Sequence, residues 1–255
     1  MRKGYLFGLL AIGFWASAGF GAVRRVPAEY GSIQAAIQAC VDGDTVIVSP
    51  GMYYETINFG GKDIVVTGTD PNDPRIVAYT ILNGQQDGTV VTFENGETPK
   101  AVLTGFTITG GFGTIDTTLG AGFRTFWGAG VFCKQASPTI TRNIIVNNDG
   151  PLDISGADVS QYRLCYGGGI GCLNSAAVIT HNVIRGNSGY VGGALIAYLG
   201  DVTVTNNLIY DNSAPVGAGA LTLTPSPDAV DMGEQIQARM RASLSDAARR
   251  RAGRR

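Results

Sequence analysis

The sequence has little of what metal sites are made from. It contains one histidine, His181, and four cysteines, which are Cys40, Cys133, Cys165 and Cys172. No two of the cysteines form a C-x-x-C pair, and structural zinc sites need closely spaced cysteine and histidine ligands. The sequence therefore predicts no metal site of this kind.

Nucleotide-binding loops are also missing, although glycine is abundant at 37 residues. The chain has no GxxxxGK[ST] motif and no GxGxxG motif that leads into a helix. The glycines cluster instead before short apolar runs, at 128–130, 167–169 and 192–193. This placement is typical of tight bends and close backbone approach in β structure.

Only one apolar run is prominent, and it lies near the N-terminus. Arg2 and Lys3 precede the run from Tyr5 to Trp15, which is too short to span a membrane. The tripeptides Ala16-Ser17-Ala18 and Phe20-Gly21-Ala22 offer small-residue cleavage sites. We interpret residues 1–22 as a signal peptide, with a retained anchor as the alternative. The expected location is secreted, periplasmic or cell-surface, with no membrane span after cleavage.

Charge is sparse, at 15% of residues, and unevenly distributed. Residues 23–225 hold 10 Lys or Arg against 16 Asp or Glu, and residues 226–255 hold 7 against 4. The acidic body argues against nucleic acid as a partner. The tail, 226–255, is predicted to be helical or disordered, because Ile236, Met240 and Leu244 form only a weak helical stripe.

The dominant pattern is a repeat of about 25 residues. Three segments align, which we call repeats one, two and three: 128–148, 167–188 and 192–213. Two sets of asparagines fall in register, namely Asn143, Asn182 and Asn207, and Asn148, Asn187 and Asn212. A short period with glycine clusters, short β-rich runs and fixed asparagines is typical of a β-solenoid.

The apolar positions of the repeats predict which side chains point inward. Residues two apart on a strand share a face. Aligned apolar sets are therefore expected to stack about 4.8 Å apart in the interior; they are Val131, Ile170 and Leu195; Cys133, Cys172 and Ala197; Ile140, Ile179 and Val204; and Ile145, Ile184 and Ile209. We interpret the asparagines as turn residues that link their amides along the axis rather than as ligands. His181, at a turn beside Asn182, is not expected to be catalytic.

The fold class that follows is all-β. We predict a right-handed parallel β-helix over residues 23–225, a single-stranded solenoid with three short strands per coil. A short helix from Ile33 to Cys40, capped by Ser32, is expected to cover its N-terminal end, since open strand edges invite pairing with other chains. The first strand is predicted at 45–49.

Two of the cysteines occupy equivalent inward positions. Cys133 and Cys172 are expected one inter-strand spacing apart, within reach of a disulfide. We favour free buried thiols, because parallel in-register side chains fit disulfide geometry imperfectly. Cys40 and Cys165 have no evident partner.

Two inserts interrupt the repeats, between Gly111 and Gly128 and between Asn148 and Gly167. Both enter just before a glycine-rich strand, so we expect them to project side by side and wall a groove over it. Aromatic faces suit sugar rings, arginine suits a uronate carboxylate, and close carboxylates suit Ca²⁺ or acid–base work. The candidate substrate-binding residues are Asp116, Arg124, Phe126, Trp127 and Tyr162, and the candidate catalytic residues are Asp153, Asp158 and Arg163. The alternative is that the aromatics only pack the insert onto the scaffold.

The repeats and the opening VPAEYGSIQAAIQACVDGDTVIVSPGMYYETINF, from Val26 to Phe59, carry a resemblance. The chain resembles the pectin lyase-like superfamily of right-handed parallel β-helices, typified by pectate lyases and polygalacturonases. It is most similar to exported bacterial proteins with parallel β-helix repeats. The Asp-Asp, Gly-His-Gly and Arg-Ile-Lys motifs of the polygalacturonases are absent, so the resemblance transfers no catalytic residue.

Three functions remain open from the sequence. The first is binding of a polysaccharide or another surface ligand through the inserts, without catalysis and with no required cofactor. The second is a polysaccharide lyase or glycosidase acting on an acidic polymer, with Ca²⁺ as a possible cofactor. The third is a structural or adhesive surface repeat. The oligomeric state is not predicted.

Overall fold

The structure, a computed structural model, describes residues 21–116, 124–153 and 163–224. The predicted signal peptide and the charged tail fall almost wholly outside these ranges, as do Asp158 and Tyr162. Within the described residues, strands dominate and two short helices occur, α1 at Ile33–Ala39 and α2 at Pro74–Tyr79. None of the helices described is both long and apolar enough to cross a membrane.

Most strands lie in three parallel sheets. Sheet A contains seven strands, in the order β1 (Val23–Val26), β2 (Thr45–Val48), β5 (Val65–Gly68), β8 (Val102–Thr104), β13 (Thr139–Thr141), β18 (Val178–Thr180) and β21 (Thr203–Thr205). Sheet B contains six, in the order β3 (Gly51–Tyr53), β6 (Thr80–Asn83), β9 (Thr107–Thr109), β14 (Ile144–Val146), β19 (Val183–Arg185) and β22 (Leu208–Tyr210). Sheet C contains six, in the order β4 (Ile57–Asn58), β7 (Val91–Phe93), β12 (Val131–Lys134), β17 (Ile170–Leu173), β20 (Leu195–Tyr198) and β23 (Leu221–Thr224).

A fourth sheet, which we call the insert sheet, is built by the two inserts. Its strands are β10 (Thr114–Asp116), β11 (Arg124–Trp127), β16 (Arg163–Tyr166) and β15 (Leu152–Asp153), in that order across the sheet. The central pair, β11 and β16, is parallel, and the two outer pairs are antiparallel. Together, the four sheets form a mostly parallel, all-β architecture of the solenoid kind.

The predicted alignment of the repeats is confirmed by strand register. Val131 pairs with Ile170, which pairs with Leu195 on the next strand. The other three apolar sets pair in the same way. One hydrophobic core runs through repeats one to three and the earlier strands, and it contains Ile140, Ile179 and their equivalents.

The N-terminal region differs in part from the prediction. The helix forms as expected, and the Ser32 hydroxyl accepts a hydrogen bond from the Ala35 N–H at 3.1 Å. The strand predicted at 45–49 forms, but it is β2 rather than the first strand, because β1 precedes it and pairs with it in parallel. Helix α2 was not predicted, although Asp73 as N-cap and Pro74 at the first helical position are its usual signals.

The asparagines form two buried amide ladders, which confirms their structural interpretation. The Asn182 side-chain oxygen accepts the Asn143 backbone N–H at 3.0 Å, and Asn182 in turn donates its backbone N–H to the Asn207 side chain at 2.8 Å. The Asn182 amide also donates to the carbonyls of Ile140 and Thr180 at 2.9 and 3.1 Å. Asn148, Asn187 and Asn212 repeat this arrangement. Each amide thus satisfies backbone groups that the bend between strands leaves without partners.

We expect Asn182→Ala to lower the free energy of unfolding by about 3 kcal/mol, because it leaves the buried Asn143 N–H and two carbonyls unpaired. The matched control is Asn207→Ala. Asn207 is more exposed, so water can replace its bonds and the loss should be about 1 kcal/mol. Urea unfolding followed by circular dichroism measures both values. Equal losses would contradict the assigned role of burial in the ladder.

Candidate binding site on the insert sheet

The inner face of the insert sheet covers the outward side of sheet C. Trp127 and Tyr166 are register partners on β11 and β16, and their rings stack at 5.2 Å between centroids. Trp127 also stacks on Phe132 of sheet C at 6.1 Å and approaches Tyr198 at 6.2 Å. These side chains belong to a second hydrophobic cluster, separate from the main core, which we call the aromatic cluster: Trp127, Phe132, Leu164, Tyr166, Leu173, Tyr190, Val191, Ile196 and Tyr198.

The aromatic cluster occupies the space where an open groove was predicted. Phe132 and Ile196 point outward from sheet C, but the insert sheet buries them. Between them lies Gly171, where a Cβ atom would come within 2.6 Å of the Gly128 nitrogen. The described parts of the inserts therefore fill the space over this strand rather than walling a groove.

Trp127 lies at the centre of this packing. Its side chain is fully buried, and its Nε1–H has no hydrogen-bond partner among the described residues. The ring contacts Phe132, Tyr166 and Tyr198 and is fully buried, so it is not open to a sugar in this structure. Phe126 is also buried, at 5% exposure.

We expect Trp127→Ala to destabilise the protein by about 3–5 kcal/mol, as large-to-small changes in aromatic cores do. Trp127→Phe is the matched control and should cost less, since it keeps a stacked ring and removes an N–H that makes no bond. Thermal unfolding measures both. Without residues 1–22, Trp127 is the only tryptophan in the chain, so its fluorescence should also be blue-shifted when folded. A red-shifted spectrum quenched by iodide would contradict the buried position.

The outer face of the insert sheet combines aromatic and charged groups. The Arg163 guanidinium lies 5.1 Å from the ring centre of Phe112 and 5.3 Å from that of Phe126. These two rings meet edge to face at 5.5 Å. Asp153 is the register partner of Arg163 across the antiparallel β15–β16 pair and is exposed. We call Phe112, Phe126, Asp153 and Arg163 the outer-face site.

Arg163 is half-buried, and its Nε–H has no hydrogen-bond partner among the described residues. Cation–π contact with two rings holds the planar guanidinium against the sheet. Its remaining N–H groups can form paired bonds with a carboxylate or with vicinal hydroxyls. Phe112 was missed by the sequence analysis, although an aromatic between two glycines at the start of an insert was a usable signal.

Asp116 lies apart from the outer-face site. It is 8% exposed and forms an ion pair with the Lys134 ammonium, beside the aromatic cluster. This ion pair links β10 to β12, so Asp116 contributes to holding the insert sheet on sheet C. Its function as a ligand-binding residue stays a prediction.

The other predicted site residues divide by where they fall. Arg124 is the register partner of Arg163, so the two arginines occupy equivalent places on neighbouring strands. Asp158 and Tyr162 lie outside the described residues. The structure thus brings Asp153, Arg163 and Phe126 together, and it separates them from Asp116 and Trp127.

No group of three or more His, Cys, Asp or Glu side chains that could hold a metal ion occurs in residues 21–116, 124–153 and 163–224. Asp153 alone would supply too few oxygen ligands for Ca²⁺, which takes 6–8.

The four cysteines are all free and buried. Cys133 and Cys172 are register partners, and burial and the neighbouring thiol both raise the pKa of Cys133. Cys165 lies on the insert sheet beneath Phe126 and Phe112, where burial raises its thiol pKa to about 12. The thiols of Cys133 and Cys165 are therefore uncharged at neutral pH and poor nucleophiles.

The raised pKa of Cys165 predicts a pH dependence of stability. Below pH 9 the thiol is protonated in both folded and unfolded chains, and its contribution is fully present. Between pH 9 and pH 12 the unfolded chain loses this proton and the folded chain keeps it, so stability falls as pH rises. The parent protein should lose a few kcal/mol more than Cys165→Ala over this window. Urea unfolding at several pH values measures the difference, and parallel curves would contradict it.

Comparison with models of known protein families, with curated proteins and with solved structures finds no match to this chain.

Proposed function

We propose that this protein is an exported parallel β-helix repeat protein that binds a carbohydrate or another surface ligand through its inserts, without catalysis. The observation that supports the proposal most directly is the outer-face site. There a guanidinium is held over two phenylalanine rings, beside an exposed carboxylate. This combination suits a sugar chain, because the half-buried Phe112 ring contacts C–H groups, Arg163 bonds hydroxyls or acidic groups, and Asp153 accepts from hydroxyls.

The scaffold supports the same proposal. Side chains on paired strands are held more precisely than side chains on free loops. Arg163 is fixed by its strand, by cation–π contact and by the buried aromatic cluster on the other side of the sheet. The site is therefore already ordered before a ligand binds, so binding costs little side-chain conformational entropy.

The finer description of the fold is also part of the proposal. We infer a right-handed helix of three-strand coils, related to the pectin lyase-like proteins, with α1 as its N-terminal cap. The burial of Ile33, Ala36 and Ile37 against the first strands supports the capping role. We also propose that residues 1–22 are cleaved and that the protein is exported to the periplasm, the cell surface or the medium.

A polysaccharide lyase or glycosidase is the second candidate. It is favoured by one observation, which is that Asp153 and Arg163 are register partners on adjacent strands. A lyase would use the arginine near the uronate and the carboxylate on Ca²⁺ or in proton transfer. The two candidates differ in a measurable product.

We expect Arg163→Gln to weaken retention on an acidic polysaccharide about tenfold, since a charge-assisted hydrogen bond is lost. Affinity electrophoresis with a panel of polysaccharides, with and without Ca²⁺, measures this. Arg185→Gln is the matched control, because Arg185 is also half-buried on a strand but lies in sheet B, and it should not change retention.

The same panel tests for catalysis. Ultraviolet absorbance from unsaturated uronides would identify a lyase, and new reducing ends without absorbance would identify a hydrolase. Either result, if lost in Asp153→Asn, would replace the proposed binding function by the second candidate. If no polysaccharide is retained by folded protein, the proposal is overturned and the structural or adhesive function is favoured.

A further inference from the structure

A second surface, away from the insert sheet, forms a groove of about 240 Å³. It lies where sheet A turns into sheet B, beside helix α2. We call it the Arg142–His181 groove; it is lined by Pro71, Asn72, Pro74, Val77, Arg142, Asn143, Ile144, His181 and Val183. None of the residues that line this groove belongs to the outer-face site, and what we infer for the groove does not rest on the proposed function.

The groove arises where one column of stacked turns changes from glycine to residues with side chains. Gly105, Arg142, His181 and Asn206 occupy equivalent positions after β8, β13, β18 and β21 and have φ between 54° and 81°. At Gly105 the column has no side chain, and a Cβ there would lie 3.0 Å from the Cβ of Pro71. The segment that leads into α2 therefore crosses the column at Gly105 and ends beside Arg142.

Sheet B provides the floor and α2 the wall. Thr107, Ile144 and Val183 form one outward column of sheet B. The Thr107 hydroxyl donates to the Val77 carbonyl at 2.9 Å and so fixes α2 over the first position. Ile144 and Val183, the next two, stay uncovered and half-buried. The result is an apolar trough with Pro74 and Val77 on one side.

Two hydrogen-bond donors stand on the opposite rim, about one inter-strand spacing of 4.8 Å apart. Arg142 is exposed, and its guanidinium donates a long hydrogen bond, 3.5 Å, to the neighbouring Thr141 hydroxyl. His181 contacts the Thr180 hydroxyl through Nδ1 at 2.8 Å. The Thr180 hydroxyl also accepts from the Thr205 hydroxyl at 3.1 Å. When Thr180 donates to Nδ1, the ring carries its hydrogen on Nε2, where a ligand can accept it.

The acidic groups near the groove already have other partners. Asp73 accepts the backbone N–H of Arg75 at 2.8 Å and forms an ion pair with its guanidinium. Asp70 accepts the Asn72 N–H at 2.9 Å. Over residues 21–116, 124–153 and 163–224, no carboxylate forms an ion pair with Arg142. The rim therefore presents the Arg142 guanidinium and the His181 imidazole, and no carboxylate in the described part of the chain forms an ion pair with either.

We propose that the Arg142–His181 groove binds a small organic carboxylate whose body is the size of one monosaccharide. The carboxylate meets Arg142 through paired N–H bonds and His181 through Nε2–H. The compact body lies on Ile144, Val183 and the two prolines. A groove of about 240 Å³ is large enough to hold one such unit. The ligand is either a free acid or one acidic unit of a polymer.

The single histidine makes the test direct, because one imidazole gives one set of ring signals in proton–nitrogen NMR. The full chain is prepared without a histidine tag and titrated with glucuronate, glucose, inorganic phosphate and a short galacturonate oligomer. Glucuronate should shift the His181 signals saturably, and glucose should not. Tighter binding of the oligomer identifies a polymer as the source, and equal binding identifies the free acid. Phosphate binding as tight as glucuronate would overturn the assignment to carboxylates.

The variants keep the backbone geometry. Arg142→Asn places at this turn the residue that Asn206 already supplies two repeats later at φ 55°, so folding should be unchanged. It should weaken glucuronate about tenfold. Val183→Phe fills the trough without touching the donors and should also abolish the shift. Arg185→Gln, on the same sheet but outside the groove, should bind as the parent does. Absence of a saturable shift, or a shift that survives both Arg142→Asn and Val183→Phe, overturns the proposal.

Discussion

Parallel, in-register pairing is the constraint on which the rest of this structure depends. Neighbouring strands lie about 4.8 Å apart, so every side chain meets its own equivalent above and below. An inward position must therefore carry a residue that packs against itself. Isoleucine on isoleucine satisfies this at 145, 184 and 209. Asparagine satisfies it with hydrogen bonds, because each amide has one end that donates and one that accepts along the stack.

The same constraint extends into the inserts. Once β11 and β16 pair in parallel, Trp127 meets Tyr166, and Phe126 meets Cys165. The inner face becomes a stack of aromatic rings over sheet C, and the outer face carries Arg163 at the place where the neighbouring strand has Arg124. The inserts therefore form a second layer of strands in which parallel, in-register pairing again stacks side chains on one another. The outer-face site is ordered because the other side of its sheet is a packed core.

Much of the fold could be predicted because the chain repeats itself. The asparagines at 143, 182 and 207 are identical at a period that only stacked turns explain, and their hydrogen bonds confirm it. The inserts could not be predicted in the same way, since they occur once each and have no internal equivalent to align. Pairing between β10 and β11 depends on tertiary contact, and aromatic residues at 126 and 127 suit a sugar platform and a buried core equally well. Helix α2 is short, and tertiary contact through Thr107 rather than its propensity holds it.

The repeats also distinguish two kinds of position. Some must carry one residue type for the scaffold to fold, and others can vary. The buried amide ladders keep the same residue in all three repeats, because any change would leave backbone groups unpaired. The left-handed turn column beside them does not, since it carries Arg142, His181 and Asn206 at nearly the same φ. Burial does not explain this variety, because all three side chains are exposed. Backbone geometry would favour asparagine or glycine at each of them. Arginine at a left-handed turn is a costlier choice than asparagine, and Arg142 and His181 are the two members of this column that line the groove. The turn column after sheet C is equally varied, with Gln135, Asn174 and Leu199 at positive φ. Arg142 and His181 are therefore distinguished by the groove that they face rather than by their backbone.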